Sequence, residues 1–137
     1  MKPRAVSFLE LLRTSLWYMA RDAPRAYSML LRAIPGSVSI QVDQEILLVR
    51  VESGRLMLQS GRYWAPVSLQ TSREAILSLI DGRLRLLAAV KGGQLSLYGK
   101  APDLIGFDVA FRAYVHGAVR SSAFPELLAR YRNTGHE

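Results

Sequence analysis

Cysteine is absent from the 137 residues, which excludes a disulfide framework and any thiolate metal site. Nothing therefore ties the chain to an oxidising compartment, and a reducing cytoplasm is the expected setting. Histidine is nearly absent too: His116 falls in an apolar segment near the C-terminus and His136 in the terminal tail. Asp103 and Asp108 stand on other turns of the same segment as His116, so none forms the i,i+4 pair that a helical metal site uses. No Gly-x-Ser-x-Gly elbow is present, and the Gly92-Gly93 pair follows a helical pattern and precedes a strand, the reverse of a phosphate-cradling loop. A cofactor is not expected, and no residue constellation speaks for an enzyme.

Long apolar runs are missing as well. The most apolar helical stretch, residues 101–119, contains Asp103, Asp108, Arg112 and His116, which argues against a membrane-spanning helix. Near the N-terminus, Glu10 and Arg13 interrupt the apolar residues that follow Lys2 and Arg4, so a signal peptide is not expected. Negative charge is in short supply: eighteen basic residues face eleven acidic ones, a net charge of +7 that draws the chain toward anionic surfaces. Nucleic acid is the competitor that this charge raises, yet Tyr98 is the only aromatic that the strand pattern places on an exposed sheet face, too little for base stacking.

Half of the residues are hydrophobic, and a domain of this length buries about two-thirds of its unfolded surface, so one core without staples is expected. Val6, Leu9, Leu12, Leu16 and Met19 recur every three or four residues and predict a helix over 6–20; Pro24 opens a second that stops at Ile34-Pro35-Gly36. Alternation then predicts strands at 38–43, 45–51, 55–59, 67–71 and about 95–99, the second apolar on both faces and joined to the third by a Ser53-Gly54 turn. Thr71 and Glu74 have the spacing of a capping box opening a helix through Ile80, with another turn or two over 84–90. A long helix is expected over 102–120 and a short one from Phe124 to Tyr131. The pattern is α+β and shows neither a repeat nor a linker, so 1–137 reads as one domain.

The segment PVSLQTSREAILSLIDGRLRLLAAVKGGQLSLYG at 66–99 resembles the heart of the sterol carrier protein family, bacterial lipid-binding members included. The resemblance lies in Val67 to Thr71, Ser72-Arg73-Glu74, Ile80 to Leu84, Ala88-Ala89-Val90 and Gly93 to Gly99, and with flanking elements it covers about 37–118. It implies a five-stranded, mainly antiparallel sheet with one face covered by helices; the two extra helices within 1–36 and the terminal helix and tail at 119–137, read from the periodicity, lie outside it. It also implies an apolar tunnel between sheet and helices that carries or presents a fatty acyl chain, phospholipid, sterol or isoprenoid, without catalysis, in some relatives for a partner enzyme. The tunnel positions it suggests are Leu47, Val49, Leu56, Leu58, Ile76, Leu79, Phe107, Phe111 and Tyr114.

Lys100 departs from the acidic residue common after Gly99, and the paired N-terminal helices are longer than usual. Those helices can pack over the sheet, cover the tunnel mouth, dimerise the chain, or lie on an anionic membrane through Arg4, Arg13, Arg21, Arg25 and Arg32. Composition by itself favours a dry, closed core, and a ligand-free scaffold of a multienzyme complex is the alternative to the carrier.

Overall fold

The computed structural model describes residues 6–118 and 120–134. Two helices lead, α1 (Phe8–Asp22) and α2 (Pro24–Ala33). The Ser7 hydroxyl accepts the Glu10 amide, and the amides of Phe8 and Leu9 donate to the two carboxylate oxygens of Glu45 at 2.8 Å each. A helix start is thus satisfied by its own cap and by a carboxylate 36 and 37 residues away, which suits the positive end of the helix dipole. Ala23 leaves helical geometry at φ −139° and Pro24 restarts it as the first residue of α2.

Five strands follow: β1 (Ser37–Val42), β2 (Glu45–Glu52), β3 (Arg55–Ser60), β4 (Val67–Thr71) and β5 (Leu95–Gly99), in the spatial order β3-β2-β1-β4-β5. All neighbours are antiparallel except β1 and β4, which run parallel with Val38 opposite Val67 and Ile40 opposite Leu69. The β2–β3 hairpin turns on Ser53 and Gly54, at φ 52° and 75°, the two positive angles of a type I′ turn.

Between β3 and β4 the chain has to return across β2 and β1 in residues 61–66. The helices occupy one face, and the Tyr63 hydroxyl accepts from Gln59 Nε2, a side chain of the opposite face, at 2.9 Å, so this crossover runs over the outer face. Leu48, on that outer face beside Gln59, is buried too, so β2 has buried apolar residues on both of its faces.

The remaining helices are α3 (Arg73–Ile80), α4 (Leu86–Lys91), α5 (Ala101–Ala118) and α6 (Phe124–Thr134). The expected Thr71–Glu74 capping box gives way to Ser72, whose hydroxyl accepts the Ala75 amide at 3.1 Å. Strand β4 continues through Thr71, and its hydroxyl donates to the Gln94 carbonyl instead. α5 enters directly after Lys100, whose carbonyl accepts the Leu104 amide. It lies antiparallel against α2: a Cβ on Gly106 would sit 2.6 Å from the Ala33 carbonyl oxygen, and one on Gly117 would meet Met19 and Ala26. α6 packs on α1 through the rings of Tyr131 and Phe8, 6.3 Å apart. One hydrophobic core fills the layer between helices and inner sheet face, from Val6 to Tyr131. Among the described residues no helix is long and apolar enough to cross a membrane.

Candidate functional site

Strand alternation puts Val38 and Ile40 of β1, Val49 of β2, Leu56 of β3, Leu69 of β4 and Leu95 of β5 on the inner sheet face. Above them the helices do not close completely. A cavity of about 80 Å³ remains, roofed by α1 through Phe8, Leu12 and Leu16, by α2 through Leu30 and by Ile34 just after its end, by α3 through Ile76, Leu79 and Ile80, and by α5 through Phe107, Ala110, Phe111 and Tyr114.

Its wall presents no polar atom. The one hydroxyl among the lining residues belongs to Tyr114 and turns away to Ser15 Oγ, 2.7 Å distant. Ser15 spends its own proton on the Leu12 carbonyl at 3.0 Å, so Tyr114 is the donor of that pair. Burial pushes the Tyr114 phenol up to about 12, which keeps it neutral at physiological pH. An apolar void without polar partners does not hold ordered water, so the space is suited to hydrocarbon.

Of the tunnel positions expected from the sequence, Val49, Leu56, Ile76, Leu79, Phe107, Phe111 and Tyr114 meet around this cavity. Leu47 and Leu58 share the inner face but lie outside the wall. Leu47 is fully buried opposite Ile40 and Ser60, and Leu58 sits half-buried on the edge strand. The expectation missed α1 and α2, whose apolar stripes supply Phe8, Leu12, Leu16, Leu30 and Ile34. That signal was legible as amphipathic periodicity, and packing over the sheet was one of the four directions it left open.

The wall is half-buried at only three places, Ile34, Leu56 and Phe111. Ile34 and Leu56 flank the seam between α2 and the edge strand β3, and this seam is bridged by one hydrogen bond, from the Leu56 amide to the Tyr27 hydroxyl at 3.3 Å.

Among solved structures, sterol carrier protein domain 2 of Helicoverpa armigera superposes with a TM-score of 0.65 at 15% identity, covering 85% of this chain and 94% of that one. The chain has the sterol-carrier-protein fold. The same fold relates it to UbiJ-SCP2, a ubiquinone synthesis protein (TM-score 0.57, 15% identity, 74% and 87% coverage), and to sterol carrier protein 2 of Yarrowia lipolytica (0.53, 12%, 77% and 88%). No family model and no curated protein matches the sequence.

On this sterol-carrier-protein fold the cations expected at a membrane are distributed unevenly. Arg13 of α1 and Arg25 and Arg32 of α2 are exposed, whereas Arg21 is held by the Asp22 carboxylate at 2.8 and 2.9 Å and lies over the rings of Trp17 and Tyr18. Arg4 lies outside the described residues. Trp17 and Met29 are exposed among these arginines, 61% and 50% respectively. His116 is exposed and accepts from Arg120 Nη2 at 2.7 Å, and Asp108 is paired with Arg112. Among the described residues no group of three or more His, Cys, Asp or Glu could hold a metal ion.

Proposed function

We propose that the chain binds the tail of a lipid-like molecule in the cavity beneath its helices and carries or presents it without catalysing its conversion. The observation that carries this reading is a cavity with a wholly apolar wall, in a fold shared with proteins titled sterol carrier proteins. Its size favours a slim acyl or isoprenoid chain over a fused sterol ring system. Each buried methylene contributes about 0.8 kcal/mol before the cost of association, and a millimolar complex corresponds to about 4 kcal/mol, so the short stretch of tail that this cavity encloses stays near that level. Tail burial alone is therefore a weak holder, which suits a carrier that must also release.

The similar UbiJ-SCP2 is titled a ubiquinone synthesis protein, which supports presentation of a lipid to a partner enzyme as the biological setting. The exposed Arg13, Arg25 and Arg32, with Trp17 and Met29 between them, form the surface by which the carrier would meet anionic membrane from the cytoplasmic side.

Mass spectrometry under native conditions, followed by organic extraction, tests the carrier reading. A stoichiometric lipid or prenyl compound is the expected result. Protein that purifies empty and takes up no fatty acid would replace the carrier with a ligand-free scaffold. For the membrane surface, replacing Arg13, Arg25 and Arg32 with Glu is expected to reduce flotation with phosphatidylglycerol vesicles at least a hundredfold, at about 1 kcal/mol per cation lost. Unchanged flotation at low salt would discard that surface and leave the cavity untouched.

A further inference from the structure

A tail-binding cavity with no polar atom in its wall leaves the polar end of its ligand outside, and the place where it emerges decides what can recognise it. The wall thins at Ile34, Leu56 and Phe111, and the first two stand on either side of the seam between α2 and the edge strand β3. Tyr27 spans that seam. It lies on the same side of α2 as Leu30 and Ile34, at spacings of three and seven residues, and its ring is half-buried.

The Tyr27 hydroxyl accepts the Leu56 amide, and among the described residues nothing takes the proton that this hydroxyl still carries. A phenol can accept and donate at once, so an unspent donor stands at the rim of an otherwise featureless apolar space. Edge-strand amides facing outward need a partner, and here the partner is a side chain that also reaches the ligand's exit.

Resting on the carrier reading, we infer that the α2–β3 seam is the portal of the cavity and that Tyr27 donates its hydroxyl proton to an oxygen at the polar end of the bound lipid, a carboxylate, carbonyl or phosphate. Tyr27 is then the residue that sorts ligands by head group, while the cavity behind it accepts any slim tail.

Two eight-carbon probes separate the head from the tail: octanoate, which carries acceptor oxygens, and octyltrimethylammonium, which carries none. Binding is followed through methyl NMR signals of the cavity wall. In Tyr27→Phe, which keeps the ring, octanoate is expected to bind roughly tenfold more weakly, the loss typical of one hydrogen bond to a charged acceptor, with octyltrimethylammonium changed less than about twofold. The unliganded methyl spectrum reports whether the wall is intact.

An equal loss for both probes, or undiminished octanoate binding, overturns the assignment of Tyr27 while the cavity reading stands. Octanoate that shifts no wall methyl in the unmodified protein removes the cavity reading itself. Ile34→Trp, which fills the seam, is expected to slow octanoate exchange at least tenfold, and an unaltered exchange rate places the portal elsewhere.

Discussion

Tyr114 and Tyr131 are both buried phenols, but their hydroxyls have opposite fates. Tyr114 donates to Ser15, whereas the Tyr131 hydroxyl has no hydrogen-bond partner among the described residues, and burial pushes it up to about 12. Tyr114→Phe is expected to cost about 1 kcal/mol in urea denaturation, the usual worth of a buried hydrogen bond. Tyr131→Phe is expected to gain about 1 kcal/mol, because it deletes an unsatisfied group and keeps both the ring under the Arg73 guanidinium at 4.4 Å and the backbone carbonyl that Arg73 Nη1 donates to. Two losses of similar size would show that the orphan hydroxyl has a partner in solution. Acid stability has its own marker. Hydrogen bonds from Arg21 and then Ser121 hold the Asp22 carboxyl down at about 2, against 3.8 for an unperturbed aspartate. A folded-state value below the unfolded one means that stability is present above about pH 4 and lost as pH falls toward 2, so Asp22→Asn is expected to flatten the stability profile across that window. These pairings were the least legible part of the sequence. Ser15 and Tyr114 are 99 residues apart, as are Asp22 and Ser121, and neither serine stands in a pattern that marks it as a partner.

At the scale of elements, helices and strands were readable because their apolar residues repeat at 3.6 and at 2, and the Ser53-Gly54 turn announced its own geometry. The contacts between elements were less so. Nothing in the periodicity of α5 said that Gly106 would approach the backbone of α2 at Ala33, and nothing in residues 61–66 said that they would cross the outer face of the sheet. The glycines of α5 offer a test of that crossing. Alanine is the better helix former by about 1 kcal/mol, yet Gly106→Ala meets a carbonyl oxygen, which cannot move aside, while Gly117→Ala meets Met19 Cε, the far end of a flexible side chain, and Ala26 Cβ. Gly106→Ala is expected to lower stability by about 1–3 kcal/mol and Gly117→Ala by less; the reverse order in thermal denaturation would contradict the α2–α5 contact. The carboxylate over the start of α1 was equally invisible, since Glu45 reads as the first residue of a strand. Glu45→Gln is expected to cost about 1 kcal/mol and to raise hydrogen exchange first at Phe8 and Leu9, whose amides it receives.

For the whole molecule, the cavity of about 80 Å³ sets the chain-length limit of the proposed carrier. In a series of fatty acids, affinity is expected to rise about fourfold per methylene and to level off once the cavity is filled, well short of sixteen carbons. A slope continuing unbroken to sixteen carbons would mean that the helices part to admit more chain. The resemblance at 66–99 anticipated the sheet and its helical cover because those segments pair with the centre of the fold; the leading helical segment fell outside it, and with it five of the twelve residues of the cavity roof. The parallel pairing of β1 with β4 has a consequence during synthesis. The meander of β1, β2 and β3 has local turns and can form as soon as residue 60 is available, but the inner edge of β1 finds its partner only when residues 67–71 emerge. Until then a nascent chain displays Val38, Ile40 and Val42 along an open hydrogen-bonding edge, the kind of surface that neighbouring chains or a waiting chaperone capture first.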